Sequence, residues 1–412
     1  MYKRFAVFLS LLLLASSALA KHKKVKPGHW HAELQLTPNV SLPFKIIIES
    51  EKQISQVVIL NAEERIILNE VKSEGDSVFV HFSAFASEIR ARIVKKKYIR
   101  GYWYNYAKKG NYRIPFECEW GLKPRYETGP SKINVHGRWE VTFGYDKEKP
   151  YKAVGLFDPF RYHGCSYDEA FLKGTFLTET GDYRFLEGDT RNDSLFLSTF
   201  DGSHAFVFQA RYSNDTLWGD FYSGNHYHNT WYAVRNESYE LTHPDSLTYL
   251  VNDSPIEFTL KDLNNEDYVY PNEETKGKVT LIQIMGTWCP NCLDESKYLK
   301  TLYEKHEGNL EIIAVGYETQ KTMEDKIAKV KKYRDFLNVK YTYLIGGDAC
   351  KSCASDEFSM LNNIISFPTL IFIDKNGKIR KIHTGFNGPG TGKYYDEFVS
   401  ATDNFVQKLI EE

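Results

Sequence analysis

Two cysteines separated by two residues form the most chemically informative stretch of the sequence. The segment Trp288-Cys289-Pro290-Asn291-Cys292 follows an apolar, strand-like run and opens a predicted helix. Sulfurs at this spacing can close a disulfide, and the free N–H groups and dipole of a helix N-terminus stabilise a thiolate on the first one. We therefore expect Cys289 to attack a partner disulfide and Cys292 to resolve the mixed disulfide. The alternatives are a zinc half-site and a plain structural disulfide.

A proline further along the chain supports the redox interpretation. The segment Ser366-Phe367-Pro368-Thr369 precedes an apolar run, and a proline within a strand is disruptive unless it opens that strand. A cis peptide before Pro368 would place backbone beside the dithiol, where it could pair with an extended substrate segment. We therefore expect Pro368 to belong to the same site.

The carboxy-terminal sequence, from about residue 254 to 412, resembles the thioredoxin-like thiol–disulfide oxidoreductases, in particular the exported TlpA/ResA-type branch. The resemblance implies an α/β thioredoxin fold, a cis Pro368 and the dithiol roles given above. It rests on four segments of this chain: Glu257–Asp262, Gly286–Cys292, Phe367–Thr369 and Ile373–Lys378.

The resemblance also implies a role for an acidic residue near the dithiol. In this branch a glutamate three residues after the second cysteine often tunes the thiols, and Glu295 occupies that position. Thioredoxin itself has a buried aspartate six residues before its first cysteine, where this chain has Gln283. Proton transfer to and from Cys292 would then need Glu295 or water. We expect no cofactor and no metal; the predicted catalytic residues are Cys289, Cys292, Pro368, Glu295 and Trp288.

A second pair, Cys350-Lys351-Ser352-Cys353, also follows a predicted strand and opens a helix. If that strand runs parallel to the strand before Cys289, both pairs leave the same edge of the sheet, where open α/β domains place their sites. The resemblance does not supply this pair. Three interpretations stay open: a local structural disulfide, an auxiliary redox pair that relays electrons to or from Cys289, and a four-thiolate zinc site formed with the first pair.

Other candidate ligands are less informative. Cys118 and Cys165 lie in different strand-rich segments, where they could bridge the two segments or be buried free thiols. Histidines at alternating positions could hold a metal, but strand-end histidines are commonly just solvated, and we assign no metal to His29, His31, His226 and His228.

Strands that alternate with helices must position the two cysteine pairs. Apolar runs such as Val279–Ile284 and Leu310–Val315 alternate with helical segments such as Leu293–Glu307. This alternation predicts crossover connections and a largely parallel central sheet. We place this α/β domain at residues 251–412.

The sequence before that domain is rich in Tyr, Phe, Val and Thr and has almost no helical periodicity. It predicts an all-β antiparallel region made of two internal repeats, residues 21–125 and 126–250, each a small barrel or half of a larger one. Segments such as Gly174-Thr175-Phe176 and Gly181-Asp182-Tyr183-Arg184 resemble the β-rich modules of Bacteroidetes-type proteins, which imply no activity here. Four pairs of segments recur in the same order: Gly28-His29-Trp30 with Gly137-Arg138-Trp139, Gly75–Phe79 with Asn192–Phe196, Ala91-Arg92 with Ala210-Arg211, and Gly101–Tyr104 with Gly219–Tyr222.

The amino terminus indicates export. Lys3 and Arg4 precede an apolar run over Phe5–Leu14, and Ala18-Leu19-Ala20 supplies the small residues that a signal peptidase reads. The run is about half as long as a bilayer-spanning helix. We expect a signal peptide over residues 1–20, cleaved after Ala20, a periplasmic protein, and no transmembrane segment beyond it. The alternative is an uncleaved anchor.

Composition narrows the class of protein. The 52 Lys and Arg residues balance 54 Asp and Glu, so no basic excess points to nucleic acid. With 42% hydrophobic and 26% charged residues the chain has a globular composition. Six cysteines in 412 residues are too few for a disulfide scaffold.

These observations favour an exported thiol–disulfide oxidoreductase that exchanges disulfides with protein substrates, in the reductive direction. Such a reductase needs a membrane or periplasmic electron donor, and the resemblance implies roles such as keeping cytochrome c apoprotein cysteines reduced. The alternative is a ligand- or partner-binding envelope protein with a redox-regulated thioredoxin-like attachment. A peroxide reductase would need its cysteine in a Pro- and Thr-rich loop, which Trp288-Cys289-Pro290 does not supply.

Overall fold

The computed structural model describes residues 24–51, 53–127, 129–161, 171–252 and 254–412. Three β-sheets organise these residues: two antiparallel sheets of nine strands each, then a mixed sheet of seven strands. Across the described ranges no helix has the length and apolar character to cross a membrane. The predicted signal peptide and Cys165 lie outside the described residues.

The first sheet is an open meander in which the first strand pairs with both the second and the ninth. Its side chains alternate between core and surface, as the period of two along a strand requires; Trp30, Ala32 and Leu34 are buried on β1. The strand order is β4-β3-β2-β1-β9-β8-β7-β6-β5. The strands are β1 (Gly28–Thr37), β2 (Val40–Ser50), β3 (Ile54–Asn61), β4 (Glu64–Leu68), β5 (Val71–Glu74), β6 (Ser77–Phe82), β7 (Ser87–Lys95), β8 (Tyr98–Asn105) and β9 (Arg113–Trp120).

The second sheet closes on itself. β18 pairs with β10 and β11 pairs with β12, so the ladder of neighbours returns to its start as a barrel. Buried aromatic rings fill its interior, among them Phe143, Phe176, Phe208 and Trp231. Its strands are β10 (Gly137–Phe143), β11 (Tyr151–Phe160), β12 (Phe171–Thr178), β13 (Gly181–Asp182), β14 (Leu186–Arg191), β15 (Ser194–Phe200), β16 (Ala205–Ser213), β17 (Thr216–Ser223) and β18 (Tyr227–Arg235).

The segments that recur in the sequence occupy matching places in these two sheets. Trp30 and Trp139 lie on the first strand of each sheet, and each indole N–H donates to the carbonyl four residues earlier, at 3.0 and 2.8 Å. Both strands begin with a glycine of positive φ, Gly28 at +106° and Gly137 at +105°. The antiparallel, strand-rich architecture is confirmed, whereas the homology of the two units stays a prediction.

The carboxy-terminal part has a thioredoxin-like α/β fold with the strand order β20-β19-β23-β22-β21-β24-β25. Its elements are α1 (Pro244–Leu247), β19 (Phe258–Asp262), β20 (Asp267–Tyr270), β21 (Val279–Met285), α2 (Pro290–Lys305), β22 (Leu310–Glu318), α3 (Met323–Leu337), β23 (Thr342–Asp348), α4 (Lys351–Glu357), β24 (Thr369–Ile373), β25 (Ile379–Thr384), a 3-10 turn (Pro389–Thr391) and α5 (Lys393–Glu411).

The expectation of a largely parallel sheet is wrong in part. Only β21, β22 and β23 run parallel, and helical crossovers join them; β19, β20, β24 and β25 pair antiparallel. The reason is local: a tight turn at Asp374–Lys378 joins β24 to β25, and such a turn permits only antiparallel neighbours. All seven residues of β21 are buried, as expected for a central strand covered by helices.

A buried ion cluster joins the two β-sheets. Glu187 of β14 is fully buried and accepts hydrogen bonds from Lys45 Nζ and Arg125 Nη2, both at 3.0 Å, and from the Ala62 N–H at 2.9 Å. Lys45 lies on β2 and Arg125 lies between β9 and β10 in the sequence. One carboxylate therefore compensates two cations that are themselves more than nine-tenths buried.

We expect Glu187→Gln to destabilise the β-rich part by about 3 kcal/mol, because it removes the buried negative charge that Lys45 and Arg125 both contact. Urea unfolding followed by tryptophan fluorescence measures this change. The matched control is Asp193→Asn, which removes an exposed partner of Arg211 and should leave the unfolding midpoint close to that of the unaltered protein, because exposed ion pairs contribute little to stability. Equal unfolding midpoints for Glu187→Gln and the unaltered protein would contradict the prediction.

Candidate thiol–disulfide site

The fold places both sulfurs of the first pair at the start of α2. β21 delivers the chain to Cys289, which is the N-cap residue of α2, and Pro290 occupies the first helical position, where no N–H is needed. The Cys289 Sγ accepts a hydrogen bond from the Cys292 N–H at 3.5 Å. Both residues are free thiols, with Cys289 9% exposed and Cys292 fully buried. The outer sulfur is therefore barely accessible and the inner one is enclosed.

The loop before β24 lies directly against the outer sulfur. The Cys289 thiol donates to the carbonyl oxygen of Phe367 at 3.5 Å, and the Phe367–Pro368 peptide bond is cis, as the resemblance implied. The Trp288 ring meets the Phe367 ring edge to face at 5.8 Å, and its indole N–H donates to the Tyr317 carbonyl at 2.9 Å. The structure thus brings together Trp288, Cys289 and the Pro368 loop.

The two thiols differ in acidity. A hydrogen bond from the Cys292 thiol, together with backbone N–H groups of Cys292 and Asn291, lowers the pKa of Cys289, although burial opposes the effect. Burial, followed by the hydrogen bond to Cys289 and the charge of that neighbour, raises the pKa of Cys292 well above its usual value. The two pKa values are thus shifted in opposite directions, so the outer sulfur ionises more readily than the inner one.

Glu295 lies three residues after Cys292 and is fully buried. Its Oε2 accepts a hydrogen bond from Gln283 Nε2 at 2.8 Å, and Gln283 Oε1 in turn accepts from Ser296 Oγ at 3.1 Å. Burial raises the pKa of Glu295 to about 8. A carboxyl group with an acidity close to that of a thiol can either hold or release a proton near Cys292.

Residues from the barrel complete the site, and sequence reasoning missed them. Ser203 Oγ donates to the Trp288 carbonyl at 3.1 Å, and Arg184 Nη1 donates to the Pro290 carbonyl at 3.2 Å. Asn291 Nδ2 donates to the carbonyl of Asp182 at 3.3 Å. The barrel therefore binds each of the three residues that flank Cys289 in the Trp-Cys-Pro-Asn segment.

The turn between β12 and β13 covers the side of the site next to Pro368. Ser366 Oγ donates to the Thr180 carbonyl at 2.6 Å. Gly181 has φ +130°, and a Cβ there would lie 2.6 Å from Asn291 Nδ2, so the turn approaches α2 this closely only because residue 181 is glycine. No local pattern in the sequence indicated this contact, since about 110 residues separate the two partners along the chain.

The second cysteine pair forms a disulfide. Cys350 and Cys353 are bonded, with their Cα atoms 5.3 Å apart, at the N-terminus of α4. β23 runs parallel to β22 and β22 to β21, so the two pairs leave the same edge of the sheet, as predicted. Because these two sulfurs bond each other, a four-thiolate zinc site is not formed in this structure.

Glu318, at the end of β22, connects the two cysteine pairs. Its carboxylate accepts hydrogen bonds from the N–H and hydroxyl of Thr287 at 2.8 and 2.6 Å, and its carbonyl accepts from the Ala349 N–H at 2.9 Å. Thr287 lies two residues before Cys289, and Ala349 directly precedes Cys350. Burial raises the pKa of Glu318 to about 7.

The remaining candidate ligands lie apart from the dithiol. Cys118 is a free thiol, buried on β9. His226 contacts Lys108 and Tyr112 at 3.2 and 3.1 Å, and His228 contacts Asp220 at 2.6 Å. Within the part of the chain that the structure describes, no three His, Cys, Asp or Glu side chains are grouped to hold a metal ion.

The fold and the paired sulfurs define the carboxy-terminal part of the chain as thioredoxin-like, and comparison with known proteins agrees. Residues 250–397 match the Redoxin family model, so the carboxy-terminal part of this chain is a redoxin domain. The thioredoxin-like protein YneN of Bacillus subtilis is 26% identical over 129 residues, which cover 31% of this chain and 68% of YneN.

Two further relatives carry explicit redox names. The thiol-disulfide oxidoreductase ResA of Geobacillus thermodenitrificans is 28% identical over 130 residues, covering 31% of this chain and 66% of ResA. The thiol:disulfide interchange protein DsbE of Vibrio cholerae is 30% identical over 140 residues, covering 33% of this chain and 66% of DsbE. This chain therefore spans slightly under two thirds of the length of ResA and DsbE, within its carboxy-terminal part.

The buried Glu295 predicts a dependence of stability on pH. Since burial raises its pKa from 4.5 to about 8, the folded protein retains a proton that the unfolded chain releases. The resulting stabilisation is complete below about pH 4.5 and is lost as the pH rises towards 8. Glu295→Gln does not ionise, so its free energy of unfolding should rise relative to that of the unaltered protein between pH 5 and 8.

Urea denaturation at several pH values across this window measures the difference. Glu304→Gln, at an exposed position of the same helix, serves as the control and should show the pH dependence of the unaltered protein. A constant difference in unfolding free energy between Glu295→Gln and the unaltered protein would contradict the prediction.

Proposed function

We propose that this protein is an exported thiol–disulfide oxidoreductase that reduces disulfides in protein substrates through Cys289 and Cys292. The observation that carries the proposal is the asymmetry of the two sulfurs: an acidic, outermost Cys289 above a fully buried Cys292 of raised pKa. The names of the relatives ResA and DsbE support the same class of reaction for the redoxin domain.

The reaction proceeds in two exchanges. The Cys289 thiolate attacks one sulfur of the substrate disulfide; the substrate S–S bond breaks, a Cys289–substrate bond forms, and the departing substrate thiolate takes up a proton. Cys292 then loses its proton and attacks the Cys289 sulfur. This step releases the second substrate thiol and leaves a Cys289–Cys292 disulfide, so the substrate gains two electrons and the protein loses two.

Glu295 and Pro368 support these steps. Glu295, of pKa about 8, exchanges a proton with the Cys292 thiol, directly or through water. The Phe367 carbonyl, already within 3.5 Å of the Cys289 sulfur, provides main-chain hydrogen bonding for the segment that carries the substrate disulfide. Trp288 packs on the Phe367 ring and holds this loop against α2.

Export and direction belong to the same proposal. The apolar run after Lys3 and Arg4 supports a signal peptide cleaved after Ala20 and a periplasmic location. A reductase in that compartment must be re-reduced, so its partners are protein thiols or disulfides and a membrane or periplasmic electron donor. The proposal also divides the chain into two homologous β-rich units, residues 21–125 and 126–250, followed by a redoxin domain at residues 251–412.

We expect the Cys289→Ser variant of the full chain to lose its catalysis of insulin reduction by dithiothreitol, because no thiolate remains to attack the insulin disulfides. Cys292→Ser should instead accumulate mixed disulfides with substrate, which non-reducing gels and mass spectrometry detect. Cys118→Ser removes a buried thiol far from the redoxin domain in sequence and serves as the matched control, with full activity. An unaltered protein without activity, or an active Cys289→Ser variant, would refute the proposal.

For the second pair we propose a structural disulfide that fixes the start of α4. Replacing both Cys350 and Cys353 with serine should lower the stability of the redoxin domain by about 2 kcal/mol, the value expected for a loop this short. The rate of insulin reduction and the redox potential of Cys289–Cys292 should stay unchanged. A slower re-reduction of Cys289–Cys292 in this variant would instead favour the electron relay.

A further inference from the structure

Arg184 belongs to the barrel in sequence, but its guanidinium group contacts the first turn of α2. Its Nη1 donates to the Pro290 carbonyl at 3.2 Å and also contacts the carboxylate of Asp294. On its other side it binds Glu64 Oε1 at 2.5 Å and Asp201 Oδ2 at 3.2 Å. The side chain is only 5% exposed. One arginine therefore connects both β-sheets to the helix that carries the dithiol.

Hydrogen bonds also fix the backbone around Arg184. Arg184 has a φ of +60°, in the left-handed region that non-glycine residues rarely adopt. Asp182 fixes this turn, because its carboxylate accepts hydrogen bonds from the N–H groups of Arg184 and Gly388, both at 2.5 Å. The Asp182 carboxylate thus both closes the turn and attaches it to the redoxin domain at Gly388, which sets where the guanidinium group lies.

The charges around Cys289 give this placement an electrostatic consequence. Four carboxyl groups act on the Arg184 charge, those of Asp294, Glu64, Asp201 and Asp182, and Glu295 lies close to Cys289. Arg184 is bound to the residue directly after Cys289, so its positive charge opposes these carboxylates next to the reacting sulfur. In a buried setting such a charge acts more strongly than in water.

We infer that Arg184 is a positioning residue of the dithiol site, which fixes the first turn of α2 and stabilises the Cys289 thiolate from the β-rich part of the chain. The inference rests on the proposed function, because it concerns the nucleophile of that reaction. In agreement, the charge of Arg184 contributes to the lowered pKa of Cys289, after the hydrogen bonds from Cys292 and Asn291. The β-rich part then serves as one wall of the redox site.

The test measures the acidity of Cys289 itself. In the reduced full-length protein, the rate of alkylation of Cys289 by iodoacetamide between pH 5 and 10 is followed by mass spectrometry of the modified peptide. Arg184→Met should raise the apparent pKa of Cys289 by about one unit, so that alkylation at pH values well below the original pKa slows about tenfold. Arg184→Lys, which keeps the positive charge, should restore most of the rate.

The equilibrium with glutathione gives a second measurement. Loss of the stabilised thiolate disfavours the reduced form, so Arg184→Met should shift the dithiol–disulfide equilibrium about tenfold towards the disulfide, equivalent to about 30 mV. Arg184→Gln is the second neutral variant if Arg184→Met does not fold, which circular dichroism reveals. A structural role alone would lower stability without moving the alkylation profile or this equilibrium.

The matched control is Arg138→Met. Arg138 is also a buried arginine of the barrel that contacts the redoxin domain, but it does so at Tyr394, at the start of α5. The pH profile of Cys289 alkylation in Arg138→Met should match that of the unaltered protein. Unchanged profiles in the neutral Arg184 variants, or an equal shift in Arg138→Met, would overturn the inference. If the unaltered protein itself shows the pKa of an ordinary thiol, the proposed function fails instead.

Discussion

The lowered pKa of one buried thiol at the start of a helix is the constraint on which this site depends. Cys289 is nine-tenths buried, and burial disfavours a charged sulfur. Backbone N–H groups of α2 and the thiol of Cys292 offset that cost, because they direct hydrogen-bond donors at one atom. Everything else at the site either fixes the position of those donors or controls which groups reach the sulfur.

The β-rich part is closely involved in that control. Barrel residues bind the backbone of Trp288 and Pro290 and the side chain of Asn291, and the turn at Thr180 lies on the loop before Pro368. The surface around Cys289 is therefore composite, formed by the redoxin domain together with residues of the barrel.

Sequence reasoning succeeded where a local rule governs the outcome. The strand–dithiol–helix order around Cys289, the alternation of strands along the β-rich region and the shared sheet edge of the two cysteine pairs all follow from short-range patterns. It was less successful for strand direction, since the tight turn at Asp374–Lys378 made β24 and β25 antiparallel. It also left open whether Cys350 and Cys353 bond each other, because spacing alone does not decide redox state.

By itself the sequence located the cysteine pair at a helix start, predicted which sulfur is the nucleophile and indicated the class of fold, because helix-terminal chemistry and hydrophobic periodicity act within a few residues. Only the tertiary structure decided what surrounds the nucleophile. The packing of the barrel against α2 brings Arg184 within hydrogen-bonding distance of Pro290, a residue 106 positions away. Within the redoxin domain, Glu295 is buried beside Gln283 of β21, and this burial raises its pKa. Such effects depend on distance through space and on exclusion of water, which no local pattern of residues encodes.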